Sequence, residues 1–386
     1  MVLLLLKNLY GLKDAGLTWY EHLTSGLTNI GFVPTKSDPC VVARDSNIIV
    51  MYVDDCVIIS QSEGEADKIM QEIKKQGLKL SDEGSMETYL GIQIERQTDG
   101  DFTMSQPFLI DRIIDAVQGM KDAKSCKSPA SSTVILNKDL QGEKRRDEWN
   151  YRSIIGMLNY LVNSTQPDLA YAVHQCARFS NDPKKSHEQA VKRIIRYLLY
   201  LKRSDTAGIK FSPLTEKSLE VYVDASFAGD WNSVWSEEPT SVMSRTGYLI
   251  KYGNCPIIWY SKLQSEIALS TTESEYIALS QSLRDALPLV ELLKELELVI
   301  PKGDKPPKIH CSVFEDNTGC IDLVKTPRMR PRTKHIALKY HHFREQVKKK
   351  LVTVHHIDTK EQVADIFTKA LPDSQYLYLR KLLTGF

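Results

Sequence analysis

Hydrophobic and polar positions along this chain sort into short runs with distinct periods. Trp19, Tyr20, Leu23 and Leu27 predict a helix over 16–28. Residues 48–60 form an apolar run broken only by Asp54-Asp55, which predicts strand, acidic tip, strand. Ala66, Ile69 and Ile73 recur at helical spacing and predict an amphipathic helix over 63–77. Residues 121–150 are polar, hold Pro129 and several serines, and show no period, so they read as a linker or surface excursion. Residues 151–202 read as helical, interrupted at Asn181-Asp182-Pro183.

The pattern changes from Leu219. Strands are predicted over 219–224, 246–252 and 256–260, the last two joined at the turn pair Gly253-Asn254. A long helix starts at Ser270, where Ser270-Thr271-Thr272-Glu273 forms a capping box. Pro288 falls inside that helix, where it costs about 3 kcal/mol unless a kink absorbs it. A strand over 309–314, a short helix near Asp316, a helix over 335–349, a strand over 351–356 and a final helix over 361–370 complete the chain. The expected class is α/β (α+β), with a mixed five-stranded sheet and helices in the C-terminal part. The expected organisation is 1–120 mixed α/β, 121–150 linker, 151–212 helical, and 219–386 mixed sheet with helices.

Composition adds exclusions. The chain has 386 residues, with 50 Lys+Arg against 49 Asp+Glu and a net charge of +1. A balance so even argues at first against nucleic acid as a partner. The N-terminal apolar run over 2–6 is far short of a membrane span, and no membrane partner is expected. Seven scattered cysteines without a CxxC pair suggest neither a zinc site nor a disulfide framework. The expected setting is reducing and intracellular, in the cytoplasm or nucleus.

Two sets of carboxylates carry the chemistry. Asp54 and Asp55 lie at the tip of a predicted hairpin. Asp is common in tight turns, and a polar turn accounts for the pair by itself. Two adjacent carboxylates on a rigid tip can also hold divalent ions. Tyr52-Val53-Asp54-Asp55 resembles the YxDD box of reverse transcriptases. The runs Asn8-Leu9-Tyr10-Gly11-Leu12-Lys13, Trp19-Tyr20, Tyr89-Leu90-Gly91-Ile92, Tyr151-Arg152-Ser153-Ile154-Ile155-Gly156 and Gln166-Pro167-Asp168-Leu169-Ala170-Tyr171 are similar to boxes of copia-type retrotransposon polyproteins. The resemblance covers nearly the whole chain. It implies a partial reverse-transcriptase palm over 1–120, with a primer-grip segment at 89–92, and a helical thumb or connection over 151–212. Asp14-Ala15-Gly16 departs from the family's Gln-Ala-Pro or Gln-Ser-Pro. The family's polymerase uses a third aspartate upstream of Tyr10-Gly11, before the first residue of this chain. DNA synthesis is therefore expected to be lost, leaving Asp54 and Asp55 as a polymerase remnant.

The second set is Asp224, Glu275, Asp316 and Asp365, each at a joint of the C-terminal elements. Singly, each reads as a turn, cap or helix-surface acid. Together, an Asp at a strand end, a Glu on the next helix, an Asp after a later strand and an Asp on the last helix resemble the ribonuclease H fold over 219–386. By that resemblance Asp224 bridges two Mg²⁺ ions, with Mn²⁺ as a substitute. Glu275 and Asp316 hold one ion, Asp365 the other, and the substrate is the RNA strand of an RNA–DNA hybrid. Phosphodiester cleavage suits two such ions, which activate water and stabilise the leaving oxygen. Glu273 is assigned to helix capping, and Asp230 and Glu315 are expected to be solvated acids. His355 or His356 stands where related enzymes carry a histidine that aids product release.

Charge distribution reverses the first impression. Residues 325–350 hold ten Lys/Arg against Glu345, a local +9, and residues 184–203 hold seven against Glu188. Arg328, Arg330, Arg332, Lys334, Lys192 and Arg193 are the expected phosphate contacts, binding nucleic acid without strong sequence preference. The alternative reading is a non-catalytic nucleic-acid-binding remnant or co-opted module.

Overall fold

The computed structural model describes residues 8, 9, 11–97, 100–214, 216, 218–231, 238–297, 309–325 and 341–386. The chain divides into two compact units, Met1–Ser85 with Leu287–Ile309, and Met86–Ala286 with His310–Phe386.

In the first unit, α1 (Ala15–Asn29) and α2 (Glu63–Lys75) accompany a sheet of β1 (Val33–Pro34), β2 (Val41–Arg44), β3 (Asn47–Tyr52) and β4 (Asp55–Ile59). The strands pair antiparallel in chain order. Leu23 and Leu27 from α1 and Ile69 and Ile73 from α2 share a buried core with Val42, Ile49 and Met51 of the sheet. α2 begins where Ser62 Oγ accepts from the Glu65 N–H at 3.3 Å. Acids in its first turn and lysines in its last complement the helix dipole.

In the second unit, β5 (Thr88–Tyr89), β6 (Ile92–Arg96) and β7 (Phe102–Ser105) lead to α3 (Pro107–Asp115). Residues 121–150 contain no regular helix or strand. Then follow α4 (Tyr151–Ser164), a 3-10 turn at Pro167–Leu169, α5 (Ala170–Ala177), α6 (Lys185–Ser204) and β8 (Ile209–Phe211). Strand β8 joins β5, β6 and β7 as the edge of an antiparallel sheet.

The remaining elements are β9 (Leu219–Ser226), β10 (Arg245–Tyr252), β11 (Cys255–Leu263), α7 (Thr271–Glu297), β12 (Cys311–Glu315), α8 (Thr318–Lys325), α9 (Arg344–Lys348), β13 (Val352–His356), α10 (Asp365–Thr368) and α11 (Asp373–Thr384). Their sheet has the order β11-β10-β9-β12-β13. β9, β10 and β11 pair antiparallel, and β12 runs parallel to β9 and β13. This is the mixed five-stranded, ribonuclease H-like sheet expected from the sequence.

The sequence pattern set 151–212 apart from the C-terminal sheet, but the structure joins them in one core. Ile154, Leu158 and Leu161 of α4 and Ile194 and Leu198 of α6 are buried with Leu249 of β10, Phe367 of α10 and Leu379 of α11. α7 runs unbroken through Pro288. The final helix expected over 361–370 is replaced by a 3-10 turn at Thr359–Glu361 and the single turn α10. Gln362 between them is fully buried. Its amide donates to the backbone carbonyls of Val223 at 2.9 Å and Phe314 at 3.2 Å, so the chain stays extended there. α11, unforeseen in the sequence, ends at Gly385, whose φ of +81° suits a left-handed cap. Of the helix expected over 335–349, residues 335–340 lie outside the described residues.

Candidate metal centre

Asp224 sits on β9 and is 4% exposed. Val221 and Val223, fully buried on the same strand, anchor it in the sheet. β10 runs alongside, with Gly247 directly opposite Asp224. A Cβ built on Gly247 would lie 2.5 Å from Thr368 Cγ2, 2.8 Å from Phe367 Cβ and 3.1 Å from the Ala364 carbonyl. Gly247 therefore lets α10 lie directly on the sheet beside Asp224. Thr368 Oγ1 uses that closeness to donate a short hydrogen bond to Asp224 Oδ2.

Glu275 lies in the second turn of α7 and is 6% exposed. The start of α7 is fixed by the capping box: the Glu273 N–H donates to Ser270 Oγ at 3.1 Å, and Glu273 Oε2 accepts from the Leu269 N–H at 2.7 Å. Glu273 thus caps, and Glu275 points into the site. Asp316 follows β12 and accepts from Thr359 Oγ1 at 2.8 Å. One carboxylate oxygen each from Asp224, Glu275 and Asp316 lies within 4.8 Å of the others. Among the described residues, these three form the group close enough to hold a metal ion.

Asp365, the first residue of α10 and 4% exposed, completes the acidic set. Burial and then the Asp224 charge push its pKa up to about 7. Burial raises Asp224 as well, with Lys369 pulling the other way. Burial and then the charges of Glu315, Asp224 and Asp316 hold Glu275 well above the ordinary glutamate range. Glu275 Oε2 has no hydrogen-bond partner among the described residues. Buried carboxylates that repel one another and leave an oxygen unsatisfied are costly without a cation. The donor set, all oxygen, fits a hard divalent ion.

Two acids read from the sequence as solvated are not. Glu315 is fully buried, where burial raises it well above the usual range. It shares the inward face of β12 with Cys311 and Val313, and that two-residue period was the legible signal. Asp230 pairs with Arg178 Nη1 at 2.6 Å and accepts from Gln175 Nε2 at 2.9 Å. Lys369, which the sequence did not single out, places Nζ 2.8 Å from Asp365 Oδ1 and 3.9 Å from Asp224 Oδ2. The signal was its position four residues after Asp365 on a helical turn.

The other candidates fall elsewhere. His355 and His356 are exposed at the end of β13, and the His355 ring nitrogen bonds Thr353 Oγ1 at 2.8 Å. Lys192 pairs with Glu188 at 2.6 Å. Arg193 donates to Ser128 Oγ at 2.9 Å. Arg328, Arg330, Arg332 and Lys334 lie outside the described residues.

In the first unit, Asp54 and Asp55 are exposed at the β3–β4 tip. Val53 there has a φ of +57°, at a turn position that usually takes glycine. The Trp19 indole N–H holds it by donating to the Val53 carbonyl at 2.7 Å. In the second unit, the 89–92 segment is a hairpin tip, with Leu90 and Gly91 both at positive φ. The Tyr160 hydroxyl donates to the Leu90 carbonyl.

The family described as reverse transcriptase (RNA-dependent DNA polymerase) matches residues 1–132. The Retrovirus-related Pol polyprotein from transposon TNT 1-94 of Nicotiana tabacum is 34% identical over 99% of this chain and 28% of its own length. The corresponding polyprotein from transposon RE1 of Arabidopsis thaliana is 33% identical over 95% of this chain and 24% of its own. The chain thus spans about a quarter of the length of these curated relatives. Among solved structures, a foamy viral protease-reverse transcriptase in complex with double-stranded DNA aligns at 14% identity and a TM-score of 0.24, covering 94% of this chain and 54% of that one. At that score the fold assignment rests on strand order instead. With family boxes and relatives in agreement, the chain belongs to the copia-type retrotransposon Pol polyprotein family and carries its reverse-transcriptase region.

Proposed function

We propose that this chain cleaves the RNA strand of RNA–DNA hybrids, using divalent ions held by Asp224, Glu275, Asp316 and Asp365. The observation that carries the reading is the convergence of Asp224, Glu275 and Asp316 from three separate elements to within 4.8 Å. Asp224 groups with Glu275 and Asp316 on one side and shares Lys369 with Asp365 on the other, so it would be the carboxylate available to both ions. Mg²⁺, or Mn²⁺ in its place, would supply an activated water and stabilise the leaving 3′ oxygen.

The chain's own residues prepare for that. Gln362 ties β9 to β12 one residue before Asp224 and one before Glu315. Thr368 orients Asp224, and Thr359 orients Asp316. These contacts fix the carboxylates before any ion arrives, so little reorganisation accompanies binding. Hybrid recognition would rest on groove shape and 2′-hydroxyl groups. The basic segment over 325–350 is the proposed phosphate contact, together with Lys192 and Arg193 if their present partners release them.

In this reading Asp54 and Asp55, exposed at the β3–β4 tip, are the candidate acids of the reverse-transcriptase region. Primer extension on an RNA template that Asp54→Asn leaves unchanged would overturn that role. The nuclease reading is tested on a labelled hybrid with Mg²⁺ or Mn²⁺. Cleavage by the wild type and none by Asp224→Asn is the expected result. Equal inertness of both proteins would favour the non-catalytic binding module.

A further inference from the structure

The two sides of the carboxylate cluster differ in their charge compensation. On the Glu275–Asp316 side, three acids come within 4.8 Å of one another, and Glu275 Oε2 is left without a partner among the described residues. On the Asp365 side a cation is already present. Lys369 Nζ lies 2.8 Å from Asp365 Oδ1 and 3.9 Å from Asp224 Oδ2. Those two carboxylates are the ones a second divalent ion would need.

The ammonium is not fixed there by burial. The Lys369 side chain is 41% exposed, while its two partners are 5% exposed. A long, flexible stem with an exposed path can swing its charge out towards solvent or substrate phosphate. The acids it serves cannot follow. Asp224 is held by the sheet and by Thr368, and Asp365 is the first residue of a turn packed against Gly247.

We propose that Lys369 is a tethered cation that occupies the second metal position until it is displaced. The first ion enters the Asp224–Glu275–Asp316 side unopposed. The second must push the ammonium away from Asp224 and Asp365, so the two ions bind with unequal affinity. The displaced ammonium is then free to meet the phosphate backbone. Lys369 acts here as a positioning residue, setting when the second ion is held. This inference rests on the hybrid-nuclease reading above.

The test is Mn²⁺ binding to the full chain without nucleic acid, followed by electron paramagnetic resonance and isothermal titration calorimetry. The wild type should bind one Mn²⁺ tightly and a second at least ten-fold more weakly. Lys369→Met should tighten the second ion by ten-fold or more and leave the first unchanged. Lys369→Arg, which keeps the charge, should retain the weak second site. Two wild-type sites of equal affinity would overturn the proposal, and this result needs no variant to fold. So would a second-site affinity that Lys369→Met leaves unchanged or weakens. Failure of the nuclease reading would look different: no Mn²⁺ binding sensitive to Asp224→Asn in any of these proteins.

Discussion

The Asp168–Arg380 pair gives the most quantitative prediction. Asp168 lies in the 3-10 turn at Pro167–Leu169, and its side chain is fully buried, while that of Arg380 is 3% exposed. Arg380 Nε donates to Asp168 Oδ2 at 3.0 Å, and its Nη2 reaches the Thr206 carbonyl. The Tyr197 hydroxyl donates to the same carboxylate, and the Tyr376 hydroxyl donates to the Asp168 carbonyl at 2.9 Å. One carboxylate thus ties α6, α11 and the turn before α5 together. Arg380→Met leaves the carboxylate buried without a cationic partner, and Asp168→Leu leaves a guanidinium buried without its counter-ion. Removing one partner of a buried pair costs about 3–5 kcal/mol. Replacing both by apolar groups removes the stranded charge as well. The double variant should therefore be more stable than the sum of the singles predicts, by about 3 kcal/mol. Urea unfolding of the four proteins, followed by circular dichroism, measures this coupling. Single variants that each cost less than about 1 kcal/mol, or costs that simply add, would refute the claim that the pair is held as a desolvated unit.

Gly247→Ala should force α10 off the sheet, because its Cβ would lie 2.5 Å from Thr368 Cγ2. The expected loss is about 1–3 kcal/mol of stability, together with weaker Mn²⁺ binding through displaced Asp365 and Thr368. Unchanged metal affinity would show that α10 has room to shift. The third prediction concerns pH. Burial, then Arg245, Arg178 and Lys262, lower His174 to about 3, and its Nδ1 faces Arg245 Nη1 at 2.9 Å. The folded pKa lies below the unfolded value of about 6.5. The contribution is therefore complete above pH 6.5 and is lost as pH falls through the range between 6.5 and 3. Between pH 7 and 5 the wild type should lose about 2 kcal/mol more than His174→Gln in urea unfolding, and equal losses would sink the assignment.

Much of the site was legible in the sequence, and the gaps have physical causes. The four acids stood at element joints, and the capping box separated Glu273 from Glu275, because caps and periods are local properties of the chain. Glu315 was misjudged although strand alternation points it inward with Cys311 and Val313. Its type suggested solvent, and only packing decides whether a carboxylate is desolvated.

The sequence by itself determined the five strands of the C-terminal sheet, the long helix after Ser270, the candidate metal-binding acids, and the family through its ordered boxes. Tertiary structure decided the rest. It merged the helices over 151–204 and the C-terminal sheet into one core, since amphipathic faces do not name their partners. It replaced the final helix predicted over 361–370 by a 3-10 turn and the single turn α10, because Gln362 is spent cross-linking β9 and β12. It also set Lys369 between Asp224 and Asp365, on strand and turn elements more than a hundred residues apart in the chain. Charge compensation depends on distances in space, and a linear pattern carries no such distances.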